Sequence, residues 1–236
     1  MLKLRKSTGA LLLFEGLLLF VPLIILGGAI GWPETLSDPA SSMLPLIFEE
    51  ADATRLGYFI YLVYSVLFFP VVVLAARVAV GNDQDNLYVR LAVGFGAASA
   101  LARCIGIIRW LIPMPALAVA YTAPDATSET QATISIIFDV LNNFGGSIGE
   151  ILGVSMFASF AILSIGVLIL QNKAMPAWTG YFALISFAAL LIPALEIFGI
   201  DPGIFLTISV LVIQLWFMIV GAYLLITTER PAVVVG

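Results

Sequence analysis

The chain has 236 residues, 61% of them hydrophobic and only 11% charged, with a mean hydropathy of +1.11. Soluble domains carry roughly 45–50% apolar and 25% charged residues, so this composition excludes water as the main solvent. A net charge of −5 argues against a nucleic-acid partner, and the absence of histidine removes the commonest general base and neutral metal ligand.

Six apolar runs follow in chain order, at about 9–31, 56–80, 87–112, 147–170, 177–200 and 204–226. Each is near the roughly 20 residues a span requires, and a span must satisfy its backbone internally, so each is expected to be a helix. The fold class is therefore all-α: a polytopic transmembrane bundle of about six spans, forming one integral membrane domain over 1–236. The first run passes through Gly27, Gly28 and Gly31 and is longer than a signal-peptide core, which favours a retained span. Two long connectors, 32–55 and 121–146, are expected to hold short helices. A partly inserted seventh segment over 131–146 is the main alternative topology.

Basic residues fix the expected orientation. With the N-terminus inside, Lys3, Arg5, Lys6, Arg77, Arg90, Lys173 and Arg230 fall on the cytoplasmic side. Arg55 alone lies in an outer connector, among Glu34, Asp38, Glu49, Glu50, Asp52, Asp125, Glu129 and Asp201. Both termini are thus expected in the cytoplasm.

Ionisable residues at membrane depth cost roughly 2.5–3.5 kcal/mol each on insertion scales and point to a functional interior. Arg103 and Arg109 lie in the third span, Glu150 in the fourth and Glu196 near the outer end of the fifth. Asp139, Asn142, Asn143, Gly146 and Glu150 follow helical spacing and form one polar stripe, which is expected to face a partner helix or a wet pocket. Gly94, Ala98, Ala102 and Gly106 recur every four residues, a small-residue face for close helix approach. Together these predict an outer-half polar chamber with Arg103, Arg109, Asp139, Asn142, Asn143, Glu150 and Glu196 as ligand-binding candidates. The competing reading is that the buried charges only neutralise one another and fix helix register. Glu15 sits apart in the first span and is read as structural, snorkelling, paired with a basic residue such as Arg90, or neutral.

No nucleotide-binding glycine loop, paired-cysteine zinc motif or aspartate-rich metal motif occurs. Asp83 and Asp85 read as a solvated loop pair, and Cys104 has no intrachain disulfide partner. No catalytic residue, metal ligand or cofactor is expected. The leading expectation is a non-enzymatic protein of the lipid bilayer that binds, and in one variant transports, a small polar, anionic or lipid-headgroup ligand. A second reading is an accessory subunit packing on a membrane-protein partner or a second copy through the small-residue face. A third is a lipid enzyme using Asp139 or Glu150 as acid or base.

The segments GALLLFEGLLLF and GGAIGWPETLSDPA, with ARCIGIIRW and FDVLNNFGGSIGEILG, resemble a bacterial family of multi-helix membrane proteins, domain-of-unknown-function family 4386. The resemblance covers nearly the whole chain. It implies a bacterial cytoplasmic (inner) membrane location and assigns no activity or site residue.

Overall fold

Two helix breaks fall at prolines, whereas Pro70 lies inside an unbroken helix. A computed structural model of the protein describes residues 2–81, 86–200 and 203–227, apart from the side chains of residues 204 and 206. The Asp83–Asp85 pair, Asp201 and Arg230 lie outside the described residues. The first run is helical from Leu2 to Leu18 (α1) and again from Phe20 to Ile30 (α2). Pro22 has no N–H to donate to the carbonyl of Leu18 four residues back, which is where α1 stops. The third run is α5 (Leu87–Leu111), and Pro113, with no N–H for the carbonyl of Arg109, begins a further helix beyond it, α6 (Pro113–Tyr121).

The remaining elements are α3 (Ala40–Glu49), α4 (Ala51–Val80), α7 (Ser128–Gly146), a π-helical segment (Ser147–Ala158), α8 (Ser159–Asn172), α9 (Ala177–Leu190) and α10 (Ile204–Ile226). Short 3₁₀ turns occupy Glu34–Ser37 and, beyond α9, Ile192–Phe198. Side-chain caps start two helices: Asn86 accepts from the Tyr88 N–H at 2.9 Å, and Thr127 accepts from the Thr130 N–H at 3.2 Å. The described residues contain no strand, and six helical rods are long and apolar enough to cross a membrane. The all-α, six-span architecture holds, and the protein is a multi-pass membrane protein.

The first and last rods meet at one end, here called the base. Arg5 donates to the carbonyl of Ala174 at 3.3 Å and to the Thr227 hydroxyl at 3.4 Å, and Lys6 donates to the carbonyl of Leu225. Gly9 and Gly221 lie backbone to backbone between α1 and α10; a Cβ at Gly9 would come within 2.8 Å of the Gly221 oxygen. A core of Leu12, Phe68, Val72, Ala76, Ile165 and Phe217, with their neighbours, fills this half.

The opposite end carries a cap. The first connector holds the short helix α3 as expected, whereas the second holds α7, 19 residues continuous with the fourth span; α3, α6 and α7 pack on one another around Met43, Leu44, Met114, Ala118 and Phe138. The continuous rod 128–172 has 45 residues. At 1.5 Å per residue it is about 65 Å long, roughly twice a hydrocarbon core of about 30 Å. One crossing cannot use all of it, and α7 is the part that packs into the cap.

Candidate functional site

Where the cap meets the bundle, a cavity of about 150 Å³ opens among α2, α4, α5, the π segment and α10. That is room for a benzene-sized group. Most of its wall is apolar, from Leu19, Phe20 and Leu23 on one side to Val210 and Leu211 on the other. Trp32, Leu36, Tyr58, Tyr61 and Trp110 close the cap side. Its charged groups are Arg103, Arg109 and Glu150.

The two arginines reach the cavity because glycines on the facing helix let them pass. Gly145, Gly149 and Gly153 recur every four residues. A Cβ at Gly145 would meet Arg109 Cδ at 2.6 Å, and one at Gly153 would meet Arg103 Cγ at 2.8 Å. Between them Gly106 touches Gly149: a Cβ at Gly106 would come within 2.8 Å of the Gly149 Cα. Arg103, Gly106 and Arg109 thus mate with Gly153, Gly149 and Gly145 across an antiparallel crossing, the close approach small residues permit. Ser99 ties the same interface, donating to the carbonyl of Gly153 at 2.7 Å.

Neither guanidinium has a carboxylate within 4.0 Å, and each is held by other contacts. Arg109 donates to the carbonyl of Gly106 at 2.8 Å and lies over the Trp110 ring at 5.4 Å from its centroid. Arg103 lies over Tyr64 at 4.6 Å and Phe68 at 5.1 Å. Such contacts contribute about 0.5–2 kcal/mol and suit a desolvated cation. The Nε of both arginines is buried without a hydrogen-bond acceptor. Among the described residues the one ion pair within 4.0 Å is Arg55–Asp52 at 3.9 Å, on the exposed start of α4. Arg109 and Glu150 flank Gly146: a Cβ there would lie 3.4 Å from Arg109 Nη2 and 4.0 Å from Glu150 Oε1. Two cations therefore face one carboxylate, and the register-pairing expected from mutual neutralisation is not formed at the arginines.

The other candidates stand elsewhere. Asp139 and Asn143 are exposed on α7, whose buried face is Ile134, Phe138 and Gly145. The stripe was expected to face a partner helix or a wet pocket; α7 instead buries Ile134 and Phe138 in the cap and leaves Asp139 and Asn143 exposed beside Ile136, Val140 and Phe144. Of the two carboxylates named for an enzyme reading, Glu150 lines the cavity and Asp139 does not. Glu196 is exposed on the 3₁₀ turn after α9, which offers Pro193 to the cavity wall. Asn142 is half-buried and donates to the carbonyl of Leu36 at 2.8 Å, fastening the 3₁₀ turn Glu34–Ser37 to α7. Asn142→Ala is expected to cost about 1 kcal/mol, the net worth of one such bond. A thermal melt followed by tryptophan fluorescence checks it.

Trp110 gave little sign in the sequence as a site residue; it stacks on Tyr58 at 4.9 Å, 4° from parallel, and both are buried. The Gly145–Gly149–Gly153 spacing was the signal that could have named the helix face mating with the arginines. In the small-residue face of α5, Gly106 is buried as expected, whereas Gly94 is exposed with nothing within 4 Å of a built Cβ. Helix irregularities surround the cavity: the α1–α2 break, the Pro113 break, the 3₁₀ end after α9 and the π segment itself. π-helical stretches are rare and often mark functional sites. No group of three or more His, Cys, Asp or Glu side chains able to hold a metal occurs among the described residues.

No curated protein and no solved structure matches the chain. Residues 7–227 match a domain of unknown function, and the protein therefore belongs to that family, DUF4386.

Proposed function

We propose that the cavity binds an amphipathic anion, with its charged head on Arg103 and Arg109 and its tail along the apolar gap between α2 and α10. The observation that carries this is a pair of buried guanidiniums, neither with a carboxylate within 4.0 Å, projecting into a mostly apolar chamber in which two cations face the one carboxylate of Glu150. A buried charge without a partner costs several kcal/mol, and an anionic ligand removes that cost. α10 packs along α1 but parts from α2, and the cavity lining reaches the surface there at Thr207 and Leu211. A tail leaving by that gap would enter lipid. Arg5, Lys6, Lys173, Arg77 and Arg90 favour a cytoplasmic base in the inner membrane, which puts the cavity in the outer half. Binding is the reading; transport would need a second state open to the base.

The accessory-subunit alternative loses part of its surface, because Gly106 packs within the chain. A helix partner would have to use the exposed Gly94 end.

The test titrates purified protein in neutral detergent with octanesulfonate, methanesulfonate and octanol, reading the fluorescence of Trp32 and Trp110. Octanesulfonate is expected to bind, and the two fragments only weakly. A site for small free anions would take methanesulfonate as well as octanesulfonate. Arg109→Gln is expected to weaken binding by about 10- to 100-fold, the worth of one charge-assisted hydrogen bond. Equal binding of octanesulfonate by the folded double variant Arg103→Gln, Arg109→Gln overturns the proposal.

A further inference from the structure

Arg103 and Arg109 suit an anion; Glu150, the third charged group of the cavity wall, does not. It stands on the π segment beside Gly149, whose contact with Gly106 holds that segment against α5. Arg109 Nη2 and Glu150 Oε1 lie 3.4 and 4.0 Å from the one Cβ position built at Gly146. Their own separation exceeds 4.0 Å, since no ion pair joins them, and is less than those two distances together. That interval contains about 5.6 Å, the reach of a single oxygen that accepts from an N–H on one side and donates to a carboxylate on the other. In the same wall the Tyr58 hydroxyl is buried with no hydrogen-bond partner.

Arg103, Arg109 and Glu150 leave the wall with one net positive charge. Glu15 is fully buried but does not line the cavity, and Glu196 is exposed on the turn beyond α9, where water and salt screen it. A bound monoanion therefore brings the wall to neutrality. A dianion, or a zwitterion with an ammonium group, leaves one charge uncompensated in low dielectric, which is costly. A bare monoanion offers Glu150 no donor and sets two negative groups near each other. A hydroxyl on the ligand supplies the donor without changing the charge. The anionic centre then carries two substituents: the tail that leaves between α2 and α10, and an arm toward the π segment. A phosphodiester is a monoanion built that way, and guanidiniums recognise its oxygens well. We infer that Glu150 selects the headgroup: the cavity takes a phosphodiester amphiphile whose second ester arm bears a hydroxyl, and that hydroxyl donates to Glu150. The inference rests on the cavity being an anion site and names the class of anion.

The measurement titrates the full-length protein in neutral detergent with three octyl phosphodiesters that differ only in the second arm: ethyl, 2-hydroxyethyl and 2-aminoethyl. Octanesulfonate is the reference anion. The hydroxyethyl ester is expected to bind about tenfold more tightly than the ethyl ester, the worth of one hydrogen bond to a charged group, and more tightly than the aminoethyl ester. Glu150→Ala is expected to bind the ethyl and hydroxyethyl esters alike and to hold octanesulfonate more tightly than the parent does, because a like charge has gone. A purely structural Glu150 would not erase the hydroxyl preference while strengthening the bare anion. Equal affinity of the parent for the ethyl and hydroxyethyl esters overturns this inference and leaves the cavity reading intact. Tightest binding of the aminoethyl ester does the same, since the partner of Glu150 would then be an ammonium. A hydroxyl preference that persists in Glu150→Ala overturns it as well. If octanesulfonate does not bind the parent at all, both fall. The parent's own ranking of the three esters decides the matter even where the variant is poorly folded.

Discussion

Gly106→Val is expected to abolish recovery of folded protein, whereas Gly94→Ala twelve residues earlier on the same helix is expected to be harmless. At Gly106 a single Cβ already meets the Gly149 Cα at 2.8 Å, the Gly145 oxygen at 2.9 Å and the Gly149 nitrogen at 3.1 Å. All three are backbone atoms, so no side chain can rotate away. The helices must separate, and with them the arginine–glycine matings on either side. Overpacking of a core usually costs about 1–3 kcal/mol and more where nothing can give. The reciprocal change is milder, since a Cβ at Gly149 stands 3.3 Å from the Gly106 Cα. The expected order of melting temperature is Gly94→Ala, then Gly149→Ala, then Gly106→Ala, with Gly106→Val lost from the monodisperse peak in size exclusion. Equal stability of Gly106→Val and the parent would mean that α5 and the π segment do not cross at this point.

Trp110→Ala is expected to cost about 3–5 kcal/mol, the range for removing a buried large aromatic. Trp110 is 2% exposed, stacks on Tyr58, carries Arg109 over its face and forms part of the cavity wall. Its loss leaves a void, an unstacked tyrosine and a guanidinium with one neighbour fewer. Trp110→Phe keeps an aromatic face and should lose less. The check is a thermal melt by circular dichroism in mild detergent, paired with octanesulfonate titration. A stable Trp110→Ala protein with an unchanged affinity would remove the ring from both the core and the site.

These two changes act on one object from different sides. Gly106 sets how near the π segment approaches α5, and that distance decides whether Arg103 and Arg109 emerge into the cavity or are trapped behind a wider interface. Trp110 sets where Arg109 points after it emerges. Both control the geometry of a pair of cations that form no ion pair within 4.0 Å and face a single cavity carboxylate, Glu150. An anion site needs that arrangement, whereas a purely structural pair would be expected to close onto Glu150.

Composition and local chemistry alone determined that this is a membrane helix bundle with six spans. Hydropathy, span length and proline position are properties of short stretches, and the bilayer allows an apolar run few backbone solutions. The breaks after Leu18 and Leu111 follow from Pro22 and Pro113 for the same local reason. The residue types of the site were legible too, since Arg103, Arg109 and Glu150 are costly at membrane depth. Which way each helix face turns was decided only by tertiary packing. The α7 stripe through Asp139 and Asn143 has sound helical spacing, but α7 buries Ile134, Phe138 and Gly145 in the cap and leaves Asp139 and Asn143 exposed beside Ile136, Val140 and Phe144. Beyond Gly146 the bonding changes to the π pattern, so α-helical spacing no longer predicts which residue follows which face. Gln214 on α10 meets Tyr64 on α4 across 150 positions of sequence, and Arg103 on α5 lies over the same tyrosine ring. No periodicity within a single helix records such a meeting, since it depends on the rotation and approach of three helices at once.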